Sequence, residues 1–263
     1  MRIVEPKVFV LASTAIEDPG LHAYLDYMMG DGGKAAAELL LESGSESSAE
    51  TLIEIAGRAC YRSFAPGLNP NVMKVRTGNK AYIGNLLKQL HGSVLEHATV
   101  TFAFVDVSRV FTHELVRHRS GTAVSQESMR YVRLDHIPFA QSDALAEGYA
   151  DSVTCNSVKD YELSLKQLAM HWDLDNKPFA EKKRLTSAMR RLAPIGTATS
   201  IIWTCNLREL RHVITLRTAA GAEEEIRKVF RVVADIAKDL YPAVFQDFEE
   251  RADGSWEPKY WKV

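Results

Sequence analysis

The strongest pattern in the chain is an alternation near its middle. Over residues 98–107, Val100, Phe102 and Phe104 fall on one face and Thr99, Thr101, Ala103 and Val105 on the other, the period of two that a half-buried strand requires. A second alternating run, Thr197 to Thr204, carries Thr197, Thr199, Ile201 and Trp203 on one side. Residues 7–12 read as a short buried strand, followed by an Asp18-Pro19-Gly20 turn.

Elsewhere the period is helical. Ser47 with Glu50 makes a capping box, and the helix that follows sets Leu52, Ile55, Ala56 and Ala59 on its buried face. A helix from Asn79 buries Ile83, Leu86, Leu87 and Leu90. Further helices are predicted over 109–118, 158–173, 178–192 and 222–240. The last aligns Ile226, Val229, Phe230, Val233, Ile236, Ala237 and Leu240 in one stripe, with Glu223, Glu224 and Glu225 at its positive end and Pro242 stopping it. Between Gly30 and Glu50 the residues turn small and polar, which predicts mobile connections around one or two helical turns, Ala35 to Leu41. Helices outnumber strands and do not alternate with them regularly, so the expected class is α+β.

Composition narrows the partners. In 263 residues, 32 basic side chains stand against 34 acidic ones, a formal charge of −2. That excludes a sequence-independent nucleic-acid coat, which needs a basic surplus, and leaves room for a local anion pocket. Cys60, Cys155 and Cys205 are too few and too far apart for a disulfide framework or a zinc set. The first residues lack the apolar run of a signal peptide, and no later run reaches membrane-spanning length. The expectation is a cytoplasmic protein with no membrane and no nucleic-acid partner.

Candidate chemistry concentrates in three segments. Glu114 to Tyr131 packs Arg117, His118, Arg119 and Arg130 among hydroxyls around Gly121. Arginine offers a planar fork of donors that matches phosphate oxygens in pairs, and backbone amides and hydroxyls complete an anion cradle. A single arginine here reads best as a solvated ion pair. The whole cluster does not, because Gly121 and the hydroxyls break the helical pattern of a solvated face. His113 and His118 lie five apart, about 140° around a helix, whereas a zinc-protease helix needs its two histidines four apart on one face. The second segment, Asn206 to Arg217, sets Leu207, Leu210, Val213 and Ile214 on one apolar arc with Arg217 in its middle. Arg208, Arg211 and His212 face the other way, Arg211 on a flank with water available. A buried arginine needs a partner, and for Arg217 a structural carboxylate and an anionic ligand are equally good readings. The third segment is His91 to His97, where either histidine alone reads as structural. Arg190-Arg191 adds positive charge. No Gly-x-Gly-x-x-Gly, P-loop or activated cysteine motif occurs.

Together these segments resemble the flavin-dependent thymidylate synthases. That family's hallmark is Arg-His-Arg, a short spacer, then Ser-x-Arg-Tyr; here it reads Arg117-His118-Arg119 and Ser128-Met129-Arg130-Tyr131. Glu96-His97, Asn206-Leu207-Arg208, Leu216-Arg217 and Glu225-Ile226-Arg227 are similar to the family's other segments and follow its order, over about residues 50 to 250. The resemblance implies a central, mostly antiparallel sheet flanked by helices, with residues 1–49 as an N-terminal extension and 50–263 as the enzyme domain. It implies a homotetramer with shared active sites, FAD as cofactor, NADPH as reductant, methylenetetrahydrofolate as one-carbon donor and dUMP as methyl acceptor, with no metal. By position, His97, Arg117, His118, Arg119, Asn206, Arg208 and His212 would contact the flavin. Gln126, Ser128, Arg130, Arg190 and Arg217 would hold dUMP. Arg217 would polarise the pyrimidine and act in protonation, and Ser128 is the second catalytic candidate. Three positions depart from the pattern: the spacer 120–127 is one residue longer than usual, Glu114 replaces a common glutamine, and Gly221 replaces a common histidine. The longer spacer leaves open a relative that methylates or hydroxymethylates another pyrimidine nucleotide. A non-enzymatic flavin- or nucleotide-binding regulator is the third reading.

Overall fold

The computed structural model describes residues 2–42, 47–130 and 136–263. The chain runs β1 (Arg2–Val4), β2 (Lys7–Ser13), α1 (Asp18–Met29), α2 (Gly33–Glu42), α3 (Ser48–Tyr61), α4 (Asn79–Lys88), β3 (Thr99–Ser108), α5 (Arg109–Leu115), β4 (Thr122–Gln126), β5 (Pro138–Ala140), α6 (Gly148–His171), α7 (Phe179–Met189), β6 (Ala198–Asn206), α8 (Leu207–Thr218), α9 (Glu224–Leu240), β7 (Phe248–Glu250) and β8 (Trp256–Pro258). Four strands form one antiparallel sheet in the order β2-β3-β6-β4. β1 pairs with β5 in parallel, and β7 with β8 as an antiparallel pair. The expected α+β class and the mostly antiparallel, helix-flanked sheet are both present.

The two alternating runs are the sheet's centre. Phe102 faces Trp203 across the β3–β6 ladder, and both are fully buried with Phe104 and Ile201 in the main core. α9 lays Ile226, Val229, Phe230, Val233 and Ala237 into that core along the expected stripe, while Ile236 is half-buried and Leu240 exposed. Glu223 caps the helix by accepting from the Glu225 and Ile226 amides. On the sheet's other face, Phe9 and Ile202 are exposed and Ala103 between them is half-buried.

Several elements differ from their sequence patterns for identifiable reasons. Asp18-Pro19-Gly20 opens α1 instead of forming a turn, because proline is tolerated in a first helical turn and Asp18 suits the positive end. α2 is a full helix within the stretch read as connections; residues 43–46 of that stretch lie outside the described residues. In α3, Ser47 caps the Glu50 amide as expected. The buried face is rotated, however: Ile53, Glu54, Gly57 and Arg58 point inward with Ile55, leaving Leu52, Ala56 and Ala59 half-buried. A paired Glu54–Arg58, at 2.8 Å from Arg58 Nε, lets charge occupy the core side. Leu90 lies beyond α4 in the left-handed region, φ +60°, and is exposed. α6 begins at Gly148 rather than near 158, since its first ten residues are mostly polar. α5 ends at Leu115, short of 118. β4 was hidden in the polar cluster: it is an exposed edge strand with no apolar face to alternate.

Candidate active site

Three pieces of chain build the site: one stands at the end of the β3–β6 ladder where Ser108 faces Ala198, and the other two meet at the opposite end, beside Asn206. The first is the junction of β3 and α5. Ser108 Oγ caps α5 by accepting from the Phe111 amide at 3.1 Å, and the Ser108 amide donates to Glu225 Oε1 at 2.7 Å. That pins the start of α9 to the start of α5. The second piece is the turn from α5 into β4, which carries Arg117, His118 and Arg119 and closes at Gly121, φ +60°. The third is the start of α8. Asn206 Oδ1 accepts from the Glu209 amide at 2.8 Å, the usual work of an N-cap, and the Asn206 amide donates to Gly121 O at 3.0 Å. A Cβ at 121 would stand 2.0 Å from Asn206 Nδ2, so only glycine allows this approach.

Arg217 reaches back from α8 to the turn. Its Nη1 donates to Glu114 Oε2 at 2.5 Å, its Nη2 to Glu114 O at 3.0 Å and its Nε to His118 Nε2 at 2.8 Å. Of the two readings left open for this arginine, the carboxylate partner is present within the chain. His118 is buried, and its Nδ1 faces Glu209 Oε1 at 3.6 Å. Its ring nitrogens therefore serve Arg217 and Glu209 and do not point to solvent. The ring of His212 stands edge-on to it at 6.1 Å. On a helical wheel His212 and Arg217 fall on different faces; His118, inserted from the turn, touches both.

The remaining expected flavin residues form an exposed rim around this centre. His97, Arg117, Arg119 and His212 are exposed. Among the described residues Arg117 and Arg119 make no ion pair. Arg208 donates to Glu96 Oε1 at 2.6 Å and packs on Gly92, where a Cβ would lie 2.8 Å from its Nε. Two exposed guanidinium groups on a turn, beside the close backbone approach at Gly121, fit a diphosphate-bearing cofactor such as FAD.

Of the expected nucleotide residues, Gln126 ends β4 and Ser128 and Arg130 follow it. Gln126 Nε2 donates to Thr112 Oγ1 at 3.1 Å, and Ser128 Oγ accepts from the Arg130 amide at 3.3 Å. Tyr131, the last residue of the motif, lies outside the described residues. Arg190 lines a cleft with Glu127, Tyr161, Lys166 and a residue that sequence reasoning missed, Arg109. The Nη2 of Arg109 donates to Glu127 O at 3.3 Å, but its Nε is buried and, among the described residues, has no hydrogen-bond partner. Burial, reinforced by the Arg190 charge, holds its guanidinium below the ordinary arginine value despite the opposing pull of Glu127. A desolvated cation with an unmet donor, beside a second arginine, is built to receive an anion. Its only sequence signal was an arginine immediately after a strongly alternating strand. Arg217 does not line this cleft.

Arg211 corrects the helical wheel. It is almost wholly buried, donating to Asp247 Oδ1 at 2.7 Å, Asp247 Oδ2 at 3.1 Å and Val244 O at 2.6 Å. Its partner arrives from beyond α9, which a wheel drawn for α8 alone cannot anticipate. Cys205 is fully buried, and burial pushes its thiol well above the usual range, with the Glu209 charge adding to it; such a thiol is a poor nucleophile. Among the described residues no cluster of His, Cys, Asp or Glu is suited to a metal ion, and no helix is long and apolar enough to cross a membrane.

Comparison with known proteins places this geometry. The model of the thymidylate synthase complementing protein family matches residues 41–243. A flavin-dependent thymidylate synthase of Mycobacterium avium is 37% identical over 221 residues, covering 78% of this chain and 82% of that protein. The enzyme of the same name from Corynebacterium diphtheriae is 36% identical over 219 residues, covering 80% and 83%. Among solved structures, a UMP/dUMP methylase of Streptomyces cacaoi, bound with 5-Br dUMP, shares the fold at a TM-score of 0.58 and 17% identity, over 94% of this chain and 96% of that one. A family match across most of the chain, with relatives at this identity over about four fifths of its length, means that the chain belongs to the flavin-dependent thymidylate synthases.

Proposed function

We propose that this chain catalyses the reductive methylation of dUMP to dTMP, with FAD as cofactor, NADPH as reductant and methylenetetrahydrofolate as one-carbon donor. The observation that carries the reading is the pairing of an arginine turn, Arg117 to Arg119, with the start of α8 through Asn206 and Gly121. Bound flavin supplies the hydride chemistry that completes the methyl group. Arg117, Arg119, Asn206 and Arg208, with His97 and His212 on the rim, bind and orient that cofactor, and His118 stands behind them. Arg109 and Arg190 hold the nucleotide phosphate, with Gln126, Ser128 and Arg130 beside it. Arg217 aims its remaining N–H groups at the pyrimidine, where negative charge develops as the ring is attacked. Catalysis needs no protein thiol, in keeping with the buried Cys205.

Arg217 lies apart from the cleft of Arg109 and Arg190, so a site using all three draws on more than one subunit. The sheet's other face, with Phe9 and Ile202 exposed, supports the same assembly, a homotetramer.

Rescue of a thymidine-requiring strain tests the reaction as a whole, and failure by a stable, flavin-loaded protein would count against it. Rescue also separates dTMP synthesis from methylation of another pyrimidine and from a regulator. At the residue level, Arg109→Ala and Arg217→Ala should each weaken dUMP binding by about tenfold or more, the loss of one or two charge-assisted hydrogen bonds of roughly 1.5–3 kcal/mol each. Lysine at either position should rescue poorly, because a point charge cannot reproduce the planar fork. Titrations of dUMP alongside melting curves check this; unchanged affinity in both variants would remove the nucleotide assignment.

A further inference from the structure

The centre of the site contains a buried carboxylate that no part of the reading above uses. Glu209 sits in the first turn of α8, its side chain nearly buried. Among the described residues its carboxylate forms one ion-pair contact, the one with His118 Nδ1. A carboxylate withdrawn from water costs free energy unless it meets a donor, so the placement is informative.

The donor follows from elementary bookkeeping of protons. Arg217 Nε can only donate, and it points at His118 Nε2 at 2.8 Å. Nε2 is therefore the acceptor, the ring is neutral, and its proton resides on Nδ1, which faces Glu209 Oε1 across 3.6 Å, an electrostatic contact just beyond hydrogen-bond length. The His118 amide donates to Leu115 O at 3.1 Å, and its carbonyl accepts from Thr122 Oγ1 at 2.9 Å, while the His212 ring closes one side. With Glu114 holding Nη1 and Nη2, three of the five guanidinium N–H groups of Arg217 are committed among the described residues, which leaves one on each Nη.

We infer that Glu209 is a positioning residue for Arg217: by attracting the Nδ1 proton of His118 it selects the tautomer whose Nε2 receives Arg217, and so fixes the plane of the guanidinium. The inference rests on the proposal that Arg217 serves the nucleotide, but the tautomer itself does not depend on it. Without Glu209 the imidazole is free to carry its proton on Nε2, where it would oppose the Arg217 N–H and turn the guanidinium away.

The test uses the full-length protein labelled with nitrogen-15 in histidine, with the His118 signal assigned by its loss in His118→Asn. The wild type should show His118 protonated on Nδ1 and bare at Nε2. Glu209→Ala should lose that preference and weaken dUMP binding about tenfold, the effect of misplacing one charge-assisted hydrogen bond. Glu209→Gln keeps an oxygen that can accept from Nδ1, and should restore both the tautomer and, within about threefold, the affinity. A wild-type His118 protonated on Nε2, or on both nitrogens, overturns the inference. So does a folded Glu209→Ala with wild-type dUMP affinity while Arg217→Ala binds weakly, or a Glu209→Gln no better than alanine. If the alanine variant fails to fold, the wild-type spectrum and the glutamine variant decide. If the wild type binds no dUMP, the nucleotide reading of Arg217 falls, and the spectra alone judge whether Glu209 sets the tautomer.

Discussion

Replacing Arg211 with alanine should destabilise the protein by about 3–5 kcal/mol, the range found when one partner of a buried ion pair is removed, and lower Tm by roughly 10 °C. Asp247 would be left nearly buried without its cation, since it holds both Arg211 nitrogens and also accepts from the Tyr260 amide at 3.1 Å. The guanidinium also lies over the Phe248 ring at 4.8 Å and donates to Val244 O, so packing is lost with the charge. The pair is a fastener between α8 and the chain beyond α9. Removing both partners, as Arg211→Met with Asp247→Leu, should cost much less than the sum of the single changes, because no unpaired charge stays behind. Calorimetry of the three variants checks this. A melting temperature for Arg211→Ala within a degree or two of the wild type would show that the pair contributes little.

Gly121→Ala should remove flavin binding and cost on the order of 2–3 kcal/mol of stability, combining the strain of a left-handed alanine with damage to the α8 N-cap. The added methyl cannot coexist with Asn206 Nδ2 at 2.0 Å. Asn206 must swing away and give up the Glu209 amide, and the turn carrying Arg117 and Arg119 must lift from the helix start. The expected purified variant is colourless and folded, with a lowered Tm. A yellow Gly121→Ala protein with native flavin content would show that the turn tolerates a side chain there.

What the sequence discloses depends on how local the cause is. β3 and β6 are legible because each buries one face against a broad core, so Phe102 and Trp203 recur at a strict period of two. The arginine turn is legible as a cluster because its charges are too dense, and too interrupted by Gly121, for a solvated helix. β4 escapes because an edge strand with both faces wet has no apolar alternation to show. Arg211 is misjudged because its partner stands 36 residues away and a helix drawn alone has no core to face. The same distance hides the bond from Arg217 to His118, 99 residues apart in the chain. Arg109 is overlooked because burial of its guanidinium is a product of the cleft that α6 and α7 build beside it, and neither helix announces that surface in its sequence.

The anchoring of α8 also bears on how the site can move. Asn206 caps this one helix and Arg208, Glu209, His212 and Arg217 ride on it, while Arg211 ties its inner face to the chain beyond α9. Parts of a protein that open together do so at the free energy of the contacts that bind them. For these five residues the opening unit is the core itself, so half of the site is as rigid as the fold and does not breathe separately. The other half, the turn from Arg117 to Gly121, is exposed except for His118 and held through a few hydrogen bonds. Adjustment to a ligand on this side of the molecule is thereby left to the turn, with α8 as the fixed template it packs against.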